Sequence, residues 1–291
     1  MNKQDTFSRH TVALCILFVL GNGIITLPLK SADEFTFMAF LLSGICLLAA
    51  YYVLCRFLPR LFKTKYLFLL PLIGVTVFSL FIGANTFLQT VRFFSEITLN
   101  ETAPFWVGAV FGGTVLYFSL KQRENLFKFS LVSAILITVV IVFFFIAAAD
   151  NYEIRNIFVF RLPKLGEITK QMKPYLINPL LHSLVLPFYF CLAFKIPKRA
   201  EGILGISLGL VLLGLGVLSS VLLFGPQIAG ELKFSFNSAV STVTVGRLFT
   251  RLDGFAYFVY FVCALIKITL CVDLARLCIK KIAQTVDKNG K

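Results

Sequence analysis

Charged side chains are scarce in this sequence, and acidic ones are the scarcest. Asp, Glu, Lys and Arg make up 14% of the 291 residues, with 14 acidic against 28 basic side chains. Hydrophobic residues make up 58%, far more than a water-soluble chain of this length uses. The low charge therefore excludes a soluble globular protein and an intrinsically disordered one.

Residues that build catalytic and metal sites are also few. The chain has two histidines, and its seven cysteines include no C-x-x-C pair. The cysteines are scattered through apolar runs, where cysteine acts as a small buried hydrophobic residue. Because no nucleophile with its base, phosphate loop or metal cluster is evident, we expect no enzyme activity, no metal and no other cofactor.

Long hydrophobic runs fill most of the chain. A helix needs roughly 20 apolar residues to cross a bilayer, and eight runs approach or exceed that length. Their predicted ranges are 10–29, 36–57, 67–97, 104–120, 125–148, 173–194, 202–224 and 254–279. The first run has no small-residue cleavage site, so we expect it to remain as the first helix. The sequence predicts an all-α integral membrane protein with a single transmembrane domain over residues 1–291.

Basic residues lie in the short connections between these spans, where cytoplasmic loops carry an excess of Lys and Arg. They follow the second, fourth, sixth and eighth spans, and are Arg56, Arg60, Lys63, Lys65, Lys121, Arg123, Lys128, Lys195, Lys198, Arg199, Arg276, Lys280 and Lys281. We therefore predict a multi-pass membrane protein with both termini in the cytoplasm. Because the net charge of +14 lies beside helix ends, membrane lipid rather than nucleic acid is the expected partner.

Helix-weakening residues interrupt the first span, in the stretch "LGNGIITLP". Glycine and proline here would free backbone groups at a depth where no water reaches them, which is tolerated only beside protein or a wet cavity. We predict that the helix unwinds at Gly21, Asn22 and Gly23 and restarts near Ile24, with Pro28 in or near the new first turn. Free amides of the restarted helix would then attract a carboxylate. A glycine-assisted helix crossing with a proline kink is the alternative.

Prolines also punctuate the sixth span, at Pro174, Pro179 and Pro187. The only strongly polar dipeptide near its centre is His182-Ser183. Interrupted helices at positions one and six are typical of transporters built from two inverted halves, with the substrate at their shared midplane. We therefore predict a substrate site at the midplane that the two interrupted helices share. For His182, an interhelical hydrogen bond is the alternative to ligand contact.

Two further spans carry polar side chains. In the third, Asn85, Gln89, Arg92 and Glu96 follow one another by four, three and four residues and so share one helical face. We expect Arg92 and Glu96 to pair near the outer mouth, while Asn85 and Gln89 are candidates for lining a cavity. In the eighth span, Lys267 is deep enough to need a carbonyl, an anion or a carboxylate as its partner. It either contacts the ligand or holds its helix against a broken helix end.

At these residues the chain resembles the B subunits of spore germinant receptors, which are similar to amino-acid permeases of the amino acid–polyamine–organocation superfamily. The resemblance rests on "LGNGIITLP", "VRFFSEITLNETAPFWV", "NIFVFRLPKLGEI" and "RLDGFAYFVYFVCALIKITLCV". The last is the most specific, because an Arg-x-Asp start, an aromatic-rich span and Ile-Lys-Ile are unlike generic membrane sequence. The first is shared across the superfamily.

The resemblance implies a leucine-transporter-like bundle that binds a germinant, commonly a small amino acid, beside broken helices 1 and 6. The candidate ligand-binding residues are Gly21, Asn22, Gly23, Ile24, Asn85, Gln89, His182, Ser183, Leu184 and Lys267. It also implies two partners, an A-type subunit and a lipoprotein C-type subunit, and a location in the cell membrane or the inner membrane of the spore. The family usually has ten spans, so we expect its helices 9 and 10 to be missing here.

These observations together predict a germinant receptor subunit that binds a small amino acid and signals to its partner subunits. Two alternatives remain open, namely an ion-coupled amino-acid permease and a structural subunit with a degenerate pocket. A carboxylate near mid-membrane would support ion coupling, and the first, fifth and sixth spans contain no acidic residue there.

Overall fold

The computed structural model describes residues 3–24, 29, 35–61, 69–99, 101–121, 123–157, 164–177, 181–194, 199–243 and 252–287. Within these ranges the chain forms helices and turns and no strand. The α-helices are α1 Lys3–Gly23, α2 Thr36–Leu61, α3 Leu69–Phe93, α4 Pro104–Leu120, α5 Arg123–Ala147, α6 Leu165–Tyr175, α7 Leu186–Phe194, α8 Arg199–Glu231, α9 Ser235–Thr242 and α10 Asp253–Asp287. Short helical turns of 3-10 type lie at Ala149–Asn151, Ile154–Asn156 and Leu181–Val185, and a π-helical turn lies at Phe94–Thr98.

Five helices within the described residues are long and apolar enough to cross a membrane. They are Thr36–Pro59, Leu69–Thr98, Arg123–Ala147, Arg199–Glu231 and Asp253–Thr285. Shorter apolar helices cover Ser8–Gly21, Pro104–Leu120 and Leu181–Phe194. The protein is therefore an all-α membrane protein, which confirms the predicted class at this level.

The first helix does not unwind where the sequence predicts. α1 continues through Gly21, Asn22 and Gly23, and the Ile24 N–H still donates to the Leu20 carbonyl at 3.0 Å. The predicted unwinding at these three residues is wrong, because a glycine weakens a helix by only about 1 kcal/mol and tertiary contacts easily outweigh that cost. Ile24 forms a turn, and residues 25–28, where the predicted restart and Pro28 lie, are outside the described residues.

The described part of the sixth predicted span contains the end of α6 and, after residues 178–180, a second helical segment. α6 is followed by a 3-10 helix over Leu181–Val185, which continues into α7. Pro187 lies where the winding changes from 3-10 to α, while Pro179 lies outside the described residues. The backbone at His182, Ser183 and Leu184 is therefore wound more tightly than an α-helix.

α1 lies at the centre of the bundle and packs against α5, α8 and α10. Its contact with α8 is unusually close, because a Cβ on Gly205 would lie 2.6 Å from Cys15 Cβ and one on Gly209 would lie 2.9 Å from Val19 Cβ. Small residues four apart let membrane helices approach to backbone contact. The spacing of these glycines therefore fixes the central helix against α8.

α8 bends near its C-terminal end. Gly225 has a φ of 74°, which glycine adopts readily, and Pro226 has no N–H to offer the carbonyl four residues earlier, that of Leu222. The Leu222 carbonyl instead accepts hydrogen bonds from the Glu153 N–H at 3.1 Å and from the Asn156 side-chain amide at 3.1 Å. The segment after α5 thus supplies the donors that the proline removes.

The long connection predicted between the seventh and eighth spans contains a helix. α9 buries Phe236, Ala239 and Val240 in the core. It has eight residues, too few to be recognised as a hydrophobic span. α9 packs against the first turns of α10. Its Phe236 ring lies edge-on to the Tyr260 ring, with 6.3 Å between the centroids.

Candidate functional site

α1, the 3-10 helix and α10 meet around a buried lysine. Lys267 is 0% exposed, and its Nζ lies 3.3 Å from His182 Nδ1 and 5.1 Å from the centroid of the Phe18 ring. An ammonium group can only donate, so Nδ1 accepts and the imidazole proton resides on Nε2. The Phe18 ring adds a cation–π contact. We call Phe18, Gly21, His182, Ser183 and Lys267 the central cluster.

Gly21 makes room for the lysine. A Cβ at this position would lie 2.7 Å from Lys267 Cδ and 3.1 Å from the Cys263 carbonyl oxygen. Any side chain there would occupy the space of the lysine stem. The glycine that the sequence marks as a helix breaker is therefore a contact residue, and it seats α10 against the last turn of α1.

The central cluster contains a cation and an unsatisfied hydroxyl. Lys267 forms no ion pair with any described residue, since the ion pairs in that part of the chain are Arg123–Asp273, Arg155–Glu153 and Lys233–Glu96. Ser183 is 0% exposed, and its Oγ has no hydrogen-bond partner among the described residues. Burying such groups unpaired costs free energy. An anionic group that accepts a hydrogen bond from either of them would lower that cost.

The other predicted ligand residues lie in three places, namely the end of α1, the 3-10 helix and α3. Gly23 and Ile24 are buried beside the cluster at the end of α1, and Leu184 is half-buried in the 3-10 helix; only the backbone of Asn22 is described. On α3, Gln89 Nε2 donates to Asn85 Oδ1 at 3.4 Å. From α3, Phe78 packs against His182, with 6.4 Å between the ring centroids.

The predicted pairing of Arg92 with Glu96 is wrong. Glu96 pairs instead with Lys233, in the turn between α8 and α9. Glu96 lies in the π-helical turn over Phe94–Thr98, where the backbone no longer has the α-helical register from which the pairing is predicted.

Tyr260 is a buried residue that the sequence does not single out as a ligand candidate. It lies two turns before Lys267 on the same face of α10, is 0% exposed, and its hydroxyl has no hydrogen-bond partner within the described ranges. Its ring packs edge-on against Phe93 with 4.5 Å between centroids. The polar face of α10 therefore continues beyond the central cluster toward α9.

A second polar cluster connects α5, α7 and α10. Arg123 Nε lies 2.8 Å from Asp273 Oδ2, and Arg123 Nη2 donates to Asp273 Oδ1 at 3.1 Å. The Tyr189 hydroxyl donates to Asp273 Oδ2 at 3.1 Å. Sequence reasoning assigned Arg123 to a loop and missed this contact, although an acidic residue inside a predicted span signals that a partner exists.

We predict that Asp273→Asn destabilises the protein markedly. The change removes the carboxylate that neutralises Arg123 and weakens the hydrogen bond from Tyr189, so the free energy of unfolding should fall by about 2 kcal/mol or more. Thermal unfolding of the purified protein in detergent measures the loss. The control is Glu153→Gln, which breaks the exposed pair with Arg155 and should cost less than about 0.5 kcal/mol. Equal losses in the two variants would contradict the structural role of Asp273.

Comparison with models of known protein families finds no match to this chain, and comparison with curated proteins finds no similar sequence.

Proposed function

We propose that this protein is the membrane subunit of a spore germinant receptor, and that it binds a small amino acid in the central cluster and signals to partner subunits. The observation that carries the ligand class is the buried Lys267 without an acidic partner among the described residues. Ser183, whose buried hydroxyl is unsatisfied, directly follows the lysine's partner His182 in the chain. The receptor class is supported by the resemblance of four sequence stretches to germinant receptor B subunits.

Both charged ends of an amino acid have complementary groups at this position. An ammonium group has three N–H donors, and Lys267 uses one for His182, which leaves donors for a carboxylate together with the Ser183 hydroxyl. α1 ends at Gly23, and the carbonyls of a final helical turn carry partial negative charge. These carbonyls suit the amino group. The carboxylate in this proposal is bound by side chains rather than by the free helix amides that the sequence suggests.

Ligand entry requires a movement of the helices. Because the Lys267 stem fills the space beside Gly21, an amino acid can enter only if the 3-10 helix or α10 shifts relative to α1. A ligand that binds better to the shifted arrangement changes the population of the two states. Such a change is what a receptor subunit passes to its partners, here an A-type and a lipoprotein C-type subunit in the spore inner membrane, with both termini in the cytoplasm.

The proposed architecture is a leucine-transporter-like bundle of about eight transmembrane helices. Two features support it, namely the central position of α1 and the non-α segment at His182 to Leu184 in the sixth span. The same segment favours the second candidate function, an ion-coupled amino-acid permease, because interrupted helices at the binding site are typical of secondary transporters.

Ligand-dependent thermal stabilisation tests the proposal. The full chain in lipid nanodiscs is heated with each of the common L-amino acids and, for each one that binds, with the matching amino-acid amide. We expect at least one amino acid to raise the melting temperature and its amide, which lacks the carboxylate, to have no effect at the same concentration. Equal stabilisation by acid and amide, or none by any amino acid, would overturn the proposal.

Uptake into sealed vesicles separates the two candidate functions. A receptor subunit binds the amino acid without accumulating it. Accumulation that collapses when the proton or sodium gradient is dissipated would establish the permease instead.

A further inference from the structure

A cavity lies away from the central cluster, where α4 ends, α5 begins and α10 passes. Its volume is about 290 Å³. The polar groups in its wall are Ser119, Lys121, Arg123, Thr269, Asp273 and Arg276. We call this cavity the α4–α5 pocket. It is lined by groups from three helices, so its shape depends on the packed bundle and not on one flexible loop.

The α4–α5 pocket carries an excess of positive charge. Asp273 neutralises Arg123, and this leaves Lys121 and Arg276 without an acidic partner in the part of the chain that the structure describes. Arg276 is held in place by its Nη1 hydrogen bond to the Ser119 carbonyl at 3.2 Å, and Lys121 Nζ lies 4.9 Å from the centroid of the Tyr117 ring. The remaining guanidinium donors of Arg276 can bind two oxygens of one anion.

The position of the pocket along the helices matches the depth of lipid headgroups. Lys121 immediately follows the apolar helix α4, and α5 begins two residues later. On the same helix, Leu116, Tyr117 and Leu120 are large exposed hydrophobic side chains that face acyl chains in a bilayer. The positive groups therefore lie at the edge of an apolar surface, on the side that basic residues predict to be cytoplasmic.

We propose that the α4–α5 pocket binds the phosphate group of an anionic phospholipid, with Arg276 and Lys121 as the groups that contact it. Basic pockets between membrane helices on the cytoplasmic side recognise such headgroups. In this pocket, two cations without an acidic partner among the described residues lie at the end of the bundle where anionic lipid is concentrated. Soluble phosphate offers the same anionic oxygens, so the test distinguishes the two sources.

Native mass spectrometry of the full chain, titrated separately with phosphatidylglycerol and phosphatidylcholine of identical acyl chains, tests the proposal. We expect about tenfold tighter binding of the anionic lipid to the wild-type chain, and loss of this preference in Lys121→Gln/Arg276→Gln. The control is Lys280→Gln/Lys281→Gln, which removes the same charge from exposed positions on α10 outside the pocket and should keep the preference.

Three outcomes would overturn the proposal. Equal affinity of the wild-type chain for the two lipids would remove the charge selectivity on which it rests. Equal loss in the control variant would show general surface attraction rather than a pocket. Displacement of phosphatidylglycerol by millimolar inorganic phosphate would identify soluble phosphate as the ligand, whereas its failure to displace the lipid supports the lipid assignment.

Discussion

Lys267→Met is expected to abolish the proposed binding of an amino acid. Methionine keeps most of the length of the lysine stem beside Gly21 but removes the ammonium that would pair with the ligand carboxylate. Truncating one partner of a buried, hydrogen-bonded charge pair weakens binding by about 100-fold or more. The measurement is the shift in melting temperature with the amino acid that stabilises the wild-type chain, titrated over concentration.

The same variant separates a binding role from a structural one. Replacing a buried charge by an apolar group of similar volume is often neutral or stabilising, so without ligand Lys267→Met should melt at or above the wild-type temperature. A lysine that only holds α10 against α1 would instead lower that temperature and leave the ligand affinity unchanged. Lys280→Met removes a charge from an exposed position on the same helix and should alter neither quantity.

Gly205→Leu is expected to prevent stable folding. The first side-chain carbon would lie 2.6 Å from Cys15 Cβ and 2.7 Å from the Val12 carbonyl oxygen, so the backbones of α1 and α8 would have to separate. Because α1 is the central helix, the cost should reach about 3 kcal/mol or more. Size-exclusion chromatography and thermal unfolding in detergent measure the loss of monodisperse, folded protein.

Gly113→Leu is the matched control for this prediction. Gly113 lies on α4 with nothing within 4 Å of the position of its missing Cβ, so the larger side chain meets open space. We expect wild-type yield and melting temperature for this variant. A Gly205→Leu protein as stable as Gly113→Leu would contradict the close contact between α1 and α8.

Hydrophobic runs predict most of the helices, because a helix that crosses a membrane needs a long run of apolar residues and such a run is visible in the sequence. The predicted span 104–120 is α4 as observed, since Pro104 favours a first helical turn and the polar residues from Lys121 end the apolar run. Helix ends elsewhere differ by several residues, as in α10, which continues to Asp287 past the predicted limit of 279. Where a helix continues into water with charged residues, the hydrophobic pattern stops before the helix does, so the pattern cannot predict where the helix ends.

The sequence gives less information about the site, because the same residues serve different purposes in different surroundings. A glycine in an apolar helix indicates either a break or a close contact, and at Gly21 only the distant Lys267 decides between them. His182 and Lys267 are both candidates from the sequence, and their mutual hydrogen bond is the interhelical alternative considered for the histidine. No spacing rule pairs residues on separate helices.

The bend in α8 differs from a typical proline hinge. A helix usually becomes flexible at a proline because the carbonyl four residues earlier has no fixed partner. In this protein that carbonyl, on Leu222, is held by two donors from the segment after α5. Changing the angle between the two parts of α8 would break both hydrogen bonds, so we expect this bend to be rigid. The helix movement that the proposed ligand binding requires would then occur elsewhere in the bundle.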